Sequence, residues 1–198
     1  EIELHTEQKE LYETVRSTMD KQVRQAIIAS GGQVQMVFLN ALLKLRQICC
    51  HPVLLEQNES ATESAKFDYL IDLLGILRKE NHRVLIFSQF TSMLTLIEAY
   101  LTEEEISYLI LTGATKDRQS LVERFQGGEG EVFLISLKAG GTGLTLTGAD
   151  TVIHYDPWWN PAAENQATDR AYRIGQEKAV MVHKLICQGT VEQRIQQM

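Results

Sequence analysis

The pattern of apolar and polar positions changes character near residue 60. Before that point, apolar residues recur at helical spacing. Leu4, Leu11, Tyr12 and Val15 mark one stretch, and Val37, Phe38, Ala41, Leu42, Leu45 and Ile48 mark a second. A helix that buries one face repeats its apolar positions every three to four residues. Thr6 is a suitable N-cap for the first helix, because its hydroxyl can accept from an unpaired amide of the opening turn. Ser30-Gly31-Gly32 separates the two helices and Pro52 ends the second. The polar, aperiodic stretch over 56–64 predicts a mobile linker.

Beyond the linker, short apolar runs alternate with amphipathic segments. Phe67, Leu70, Ile71, Leu74 and Leu77 predict a helix. Val84-Leu85-Ile86-Phe87 is wholly apolar, as expected of a strand covered on both faces of a parallel sheet. A helix over about 91–101 follows, then a strand at 108–111, a helix over about 116–126 and a strand at 132–135. A strand at 151–155, a helix over about 161–173 and a strand at 180–186 complete the series. The repeated strand-helix-strand order predicts an α/β fold: a parallel sheet with helices on both faces.

Charge and composition narrow the function classes. The 198 residues carry a net charge of −7, so any contact with nucleic acid must come from a local cluster of cations. No apolar run approaches the roughly 20 residues that span a bilayer, and no membrane partner is expected. Three cysteines, two of them adjacent, form no disulfide framework, and a reducing compartment is expected. The chain opens on Glu1 rather than Met and is read as a fragment of something longer.

In parallel α/β sheets, ligands gather at the carboxyl ends of the strands. Ser88-Gln89-Phe90, Thr112-Gly113, the glycine-rich run from Ser136 to Gly143, and Asp156-Pro157-Trp158-Trp159-Asn160-Pro161 all fall there. The glycines let backbone amides approach a phosphate, with Lys138 adding charge, or they merely make a tight connection. Arg170 and Arg173 share a helix face with Gln166, suited to a polyanion, or else to pairing with Asp169 and Glu164 in solvent. Trp158-Trp159 serves as an aromatic wedge, as core, or one residue each way. Asp156 is either a metal ligand or a hydrogen-bonding group at a strand end. Cys49-Cys50-His51 has poor spacing for zinc, and Cys187 and His183 fall on a distant strand, so the cysteines are read as buried structural residues and no metal site is expected. No Walker A loop, catalytic triad or acid/base carboxylate pair occurs.

Taken in order, Val84-Leu85-Ile86-Phe87-Ser88-Gln89-Phe90, the run over 135–144, the stretch over 150–161 and the stretch over 166–176 resemble motif IV, motif V, its extension and motif VI of the second motor lobe of Swi/Snf-type superfamily two helicases. Leu45-Arg46-Gln47-Ile48-Cys49-Cys50-His51-Pro52 resembles the helical element that precedes the lobe in that family. The resemblance implies a RecA-like lobe over 61–198 preceded by a family-specific helical segment over 1–60. It implies ATP with Mg2+, bound mainly by a first RecA-like lobe that this chain lacks. Arg170, Arg173 and Gln166 would be the catalytic groups, and Gly143 would join them in lining the nucleotide cleft. The rim facing nucleic acid would comprise Ser88, Gln89, Thr112, Gly113, Lys138, Ala139, Gly140, Gly141 and Trp158. The implied partners are double-stranded DNA, the first lobe and nucleoprotein complexes, in a bacterial cytoplasm or a nucleus. The implied activity is DNA-stimulated ATP hydrolysis that moves the protein along duplex DNA, with the isolated lobe inactive. An RNA-directed motor of the same superfamily and a non-catalytic adaptor lobe are the alternatives.

Overall fold

A computed structural model describes residues 1–29, 32–55, 63–137, 145–158 and 179–197. Along these residues the chain forms α1 (Thr6–Ile28), α2 (Val34–Cys50), a 3-10 turn (Pro52–Leu54), α3 (Ala65–Lys79), β1 (Val84–Ser88), α4 (Thr91–Glu103), β2 (Tyr108–Leu111), α5 (Arg118–Gln126), β3 (Val132–Ser136), β4 (Thr151–His154), β5 (Met181–Lys184) and α6 (Val191–Gln197). They fall into two compact units: Glu1–Leu70 with Ile186–Met198, and Ile71–Leu185.

The second unit holds a five-stranded parallel sheet of order β2-β3-β1-β4-β5. In β1, β3 and β4 every residue is buried, which is why their middle positions are apolar without alternation and the polar Ser88, Ser136, Thr151 and His154 stand only at strand ends. The edge strand β5 is mostly exposed. It is shorter than the expected 180–186: pairing with β4 runs from Met181 to Lys184, and Val180 and Leu185 flank it as core residues. Leu85, Phe87, Phe133, Ile135 and Val152 gather with Val122 and Phe125 of α5 in one apolar cluster. On α4, Met93, Leu94, Ile97 and Leu101 are fully buried at helical spacing.

At the amino end of the sheet, Arg83 ties the connections together. Its guanidinium donates to the carbonyls of Phe125, Glu129, Gly130 and Gly148, and lies 3.8 Å from the centre of the Phe125 ring. A cation on the last carbonyls of α5 also favours that end of the helix dipole. Gly148 leaves room there for the ends of the Arg83 and Gln126 side chains. A Cβ would stand 2.8 Å from Arg83 Nη1 and 2.9 Å from Gln126 Oε1. His82 is held between Asp150 (3.0 Å) and Glu80 (3.1 Å), and these hydrogen bonds, that to Asp150 foremost, raise its pKa.

The first unit joins both ends of the chain. Ile2 donates to the Ile186 carbonyl and accepts from the Gln188 amide, each at 2.7 Å. Leu4, Tyr12, Leu45, Ile48, Cys49 and Cys187 share one apolar cluster. Cys187 therefore lies beside Cys49, its thiol donating to the Cys49 carbonyl at 3.5 Å, which corrects the expectation that it sits far away on a strand. The pairing with Ile2 draws it there. All three cysteines are buried free thiols, and burial pushes the Cys49 thiol up.

Two helix starts depart from the expected ones. Thr6 already belongs to α1, and His5, in extended backbone, is the N-cap, its side chain making no capping bond and meeting Asp68 instead. Ser64 was grouped with the mobile linker, yet it is buried and caps α3, accepting from the Phe67 amide at 3.2 Å and donating to the Cys50 carbonyl at 2.9 Å. Gln8 spans three helices, donating to Ile48 O at 2.9 Å and accepting from the Ala65 amide at 3.1 Å. After α2 ends at Cys50, His51 Nδ1 accepts from Val53 N and caps the turn opened by Pro52.

Candidate functional site

Strand order sets where a ligand can enter. The chain leaves β1 towards β2, on one side, and leaves β4 towards β5, on the other. Adjacent parallel strands whose connections part in this way open a crevice at their carboxyl ends. Ser88 ends β1 and Asp156 follows β4, so both stand at that crevice.

Asp156, 1% exposed, joins the two strand ends. Its Oδ1 accepts from the Ser88 hydroxyl at 2.5 Å and its Oδ2 from the Gln89 amide at 3.1 Å. The Ser88 hydroxyl in turn accepts from the Phe90 amide at 3.1 Å, and the Gln89 side chain donates to the Pro157 carbonyl at 3.3 Å. A short bond from a hydroxyl to a buried carboxylate is among the stronger hydrogen bonds a protein makes. The turn after β1 and the turn after β4 are thereby fixed to each other. Of the two roles open to Asp156 from sequence, the structure assigns the hydrogen-bonding one.

Trp158 is half-buried, its ring edge-on to Phe87 (6.4 Å) and to His154 (5.9 Å), with His154 stacked on Phe87 at 5.6 Å. The indole thus anchors the Pro157 turn to the core while part of it stays in solvent. Trp159 lies outside the described residues.

Ser88, Gln89 and Trp158 are brought together here. Thr112 and Gly113 follow β2, two strands away across β3, or about 10 Å at the usual strand spacing. Thr112 forms a local turn, its amide donating to Thr115 Oγ1 at 3.0 Å and its hydroxyl accepting from Ala114 N at 3.3 Å. Gly113 is exposed, and nothing lies within 4 Å of an added Cβ. Lys138, Ala139, Gly140, Gly141, Gly143, Gln166, Arg170 and Arg173 lie outside the described residues.

In the first unit, Cys49, Cys187 and Glu192 bring ligand-type atoms within 4.8 Å of one another. The Lys66 ammonium already meets both Glu192 oxygens, at 2.6 and 2.7 Å. The negative charge that would attract a metal ion is therefore balanced. Among the described residues, no helix is long and apolar enough to cross a membrane.

Sheet order and crevice define a RecA-like lobe. The chain matches the helicase conserved C-terminal domain over residues 65–175. It is 44% identical over 202 residues to YwqA of Bacillus subtilis, named as an ATP-dependent helicase/translocase, spanning 98% of this chain and 22% of that protein. It is 37% identical over 213 residues to the CHD3-type chromatin-remodeling factor PICKLE of Arabidopsis thaliana, spanning 100% of this chain and 15% of that one. The Sulfolobus solfataricus SWI2/SNF2 ATPase core, solved in complex with dsDNA, superposes with a TM-score of 0.83 at 33% identity, covering 99% of this chain and 42% of its own. The chain belongs to the helicase C-terminal domain family, as a second helicase lobe of the SWI2/SNF2 type. It spans less than a quarter of either relative's length.

Asp156, which the sequence places at a strand end with two roles open, is the residue that ties this crevice together. An acid directly after four buried strand positions is a usable signal for such a hub. Its partner Ser88, 68 residues away, is not visible from spacing.

Proposed function

We propose that this lobe belongs to an ATP-dependent motor that translocates on double-stranded DNA or remodels nucleoprotein complexes. The observation that carries the reading is the match of 99% of the chain to part of a SWI2/SNF2 core solved with dsDNA. The Ser88–Asp156 clamp supports it, because it holds two of the turns that would face DNA in one rigid rim. Such a rim grips phosphates and leaves bases unread. That also reconciles DNA binding with a net charge of −7: a few cations and backbone amides, Lys138 among them, suffice inside a two-lobed groove.

ATP is the substrate, with Mg2+ held chiefly from the first lobe. Arg170 and Arg173 would reach the γ-phosphate across the lobe interface, where guanidinium groups stabilise charge spreading over phosphoryl oxygens. Gln166 and Gly143 would line the same cleft. Ser88, Gln89, Thr112, Gly113, Lys138, Ala139, Gly140, Gly141 and Trp158 form the proposed DNA rim. The isolated lobe neither hydrolyses ATP nor translocates.

The test is steady-state ATPase activity of a protein carrying this lobe behind its first lobe, titrated with duplex DNA, single-stranded DNA and duplex RNA. Stimulation by duplex DNA, lost in Arg170→Ala and Arg173→Ala, is the expected result. Stimulation by RNA alone assigns an RNA-directed motor instead. An activity indifferent to every nucleic acid and to both arginines leaves an adaptor lobe.

A further inference from the structure

From Lys21 to Leu55 the chain carries Lys21, Arg24, Lys44 and Arg46 and no acidic residue, in a protein whose net charge is −7. The same stretch presents an uncovered apolar stripe. Met36, Leu39 and Leu43 are 71%, 53% and 42% exposed. Their i, i+3, i+7 spacing aligns them along one side of α2. That side is opposite to the one where Ala41, Leu45 and Ile48 are buried. At the neighbouring end of α1, Ile27 and Ile28 are also exposed.

Several large apolar side chains aligned in solvent mark a surface that is covered in use. The spacing of the stripe is that of a helix–helix seam. Cations border it. Lys44 follows Leu43, and Lys21 and Arg24 lie seven and four residues before Ile28, on its side of α1. Arg24 also pairs with Asp20 at 3.1 Å, on the edge away from Ile28.

We propose that this hairpin is a docking surface for an amphipathic helix whose apolar stripe is flanked by aspartate and glutamate. The absence of acid from 21 to 55 argues for that occupant over a second copy of the chain. Two copies meeting through the stripe would set Lys21, Arg24 and Lys44 against themselves. A phosphate backbone fits poorly as well, since the centre of the surface is apolar and its cations lie at the margin.

The experiment uses the 198-residue chain and a synthetic 21-residue helix with leucine at its seam positions and glutamate at the flanks, read by fluorescence anisotropy. A matched peptide with lysine at the flanks, phosphatidylglycerol vesicles and sedimentation of the protein alone run beside it. The expected result is saturable binding of the glutamate peptide, at least tenfold tighter than the lysine peptide and weakened by salt. Leu39→Gln with Leu43→Gln should weaken it at least tenfold. Lys44→Glu, a surface change that leaves the apolar stripe intact, should weaken it several-fold and improve binding of the lysine peptide. Equal binding of the two peptides, no binding of the glutamate peptide, binding to vesicles alone, or self-association through the stripe would each overturn the proposal.

Discussion

Lys66 and Glu192, 126 residues apart, form an ion pair in which neither side chain is exposed to solvent. The ammonium reaches both carboxylate oxygens, and one of these also accepts from the Cys187 amide at 3.0 Å. Burial alone would lower the lysine pKa, but the Glu192 charge outweighs it and the net shift is upward. Losing one partner leaves the other charged in an apolar surround. Lys66→Met should therefore cost about 3–5 kcal/mol. Lys66→Met combined with Glu192→Leu should recover much of that loss. Urea unfolding of the three variants decides it, and a double variant no better than the single one would contradict this account.

The clamp at the crevice makes a different prediction. In Asp156→Asn a single neutral amide oxygen replaces two carboxylate oxygens, so the Ser88 hydroxyl and the Gln89 N–H compete for one weaker acceptor. A buried polar group left unpaired costs about 1–3 kcal/mol. Asp156→Asn should accelerate hydrogen exchange of the Gln89 amide, whereas Ser88→Ala should spare Gln89 and expose the Phe90 amide. Identical exchange patterns in the two variants would refute the assignment of the bonds.

Two glycines offer a paired test. Gly148→Ala drives a methyl group into Arg83 and Gln126 and should cost about 1–3 kcal/mol through overpacking. Gly75, exposed inside α3, meets nothing within 4 Å of an added Cβ. Gly75→Ala should stabilise by roughly 0.5–1 kcal/mol, the usual helix preference for alanine. Thermal unfolding that ranks the two in the opposite order would show that the Arg83 network does not constrain that turn.

His82 gives the fold a dependence on pH. Its hydrogen bonds to Asp150 and Glu80 raise its pKa above 6.5. The stabilisation is thus fully present below that ordinary value and fades as pH climbs through the raised one. Burial lowers the pKa of His51 and of His183, and these two act in the opposite sense, losing stability as pH falls. The comparison of wild type with His82→Gln removes their common contribution. The gap in melting temperature should be wide at about pH 5.5 and narrow at about pH 9; a gap that does not vary with pH would dispose of the idea.

How much could be read from the chain depended on the range of each interaction. The buried strands β1, β3 and β4 were legible because a parallel strand covered on both faces is apolar through its middle, with Ser88, Ser136, Thr151 and His154 confined to the ends. The ends of β5 were not, since Val180 and Leu185 are apolar for a reason other than the ladder. Ser64 was misplaced because a serine in a polar run looks the same whether it caps a helix or floats, and only the amide of Phe67 distinguishes the two. Ser88, Gln89 and Trp158 were legible as residues of the crevice through their strand-end positions. The hub joining them depends on Asp156, and a contact across 68 residues leaves no trace in local periodicity. Lys66 with Glu192 is the extreme case, two charges that sequence alone would place in solvent.

The pairing of Ile2 with residues 186–188 sets a timetable for assembly during synthesis. The sheet has its last strand once Lys184 is made, whereas the helical unit must wait for Ile186, Gln188 and α6. Until then α1 and α2 can pair, but Lys66 has no carboxylate and Ile2 no strand partner. A nascent chain will therefore have every strand of its sheet before its helical unit can close, and a chain truncated just short of residue 186 keeps all five strands while its helical hairpin lacks its closing partners.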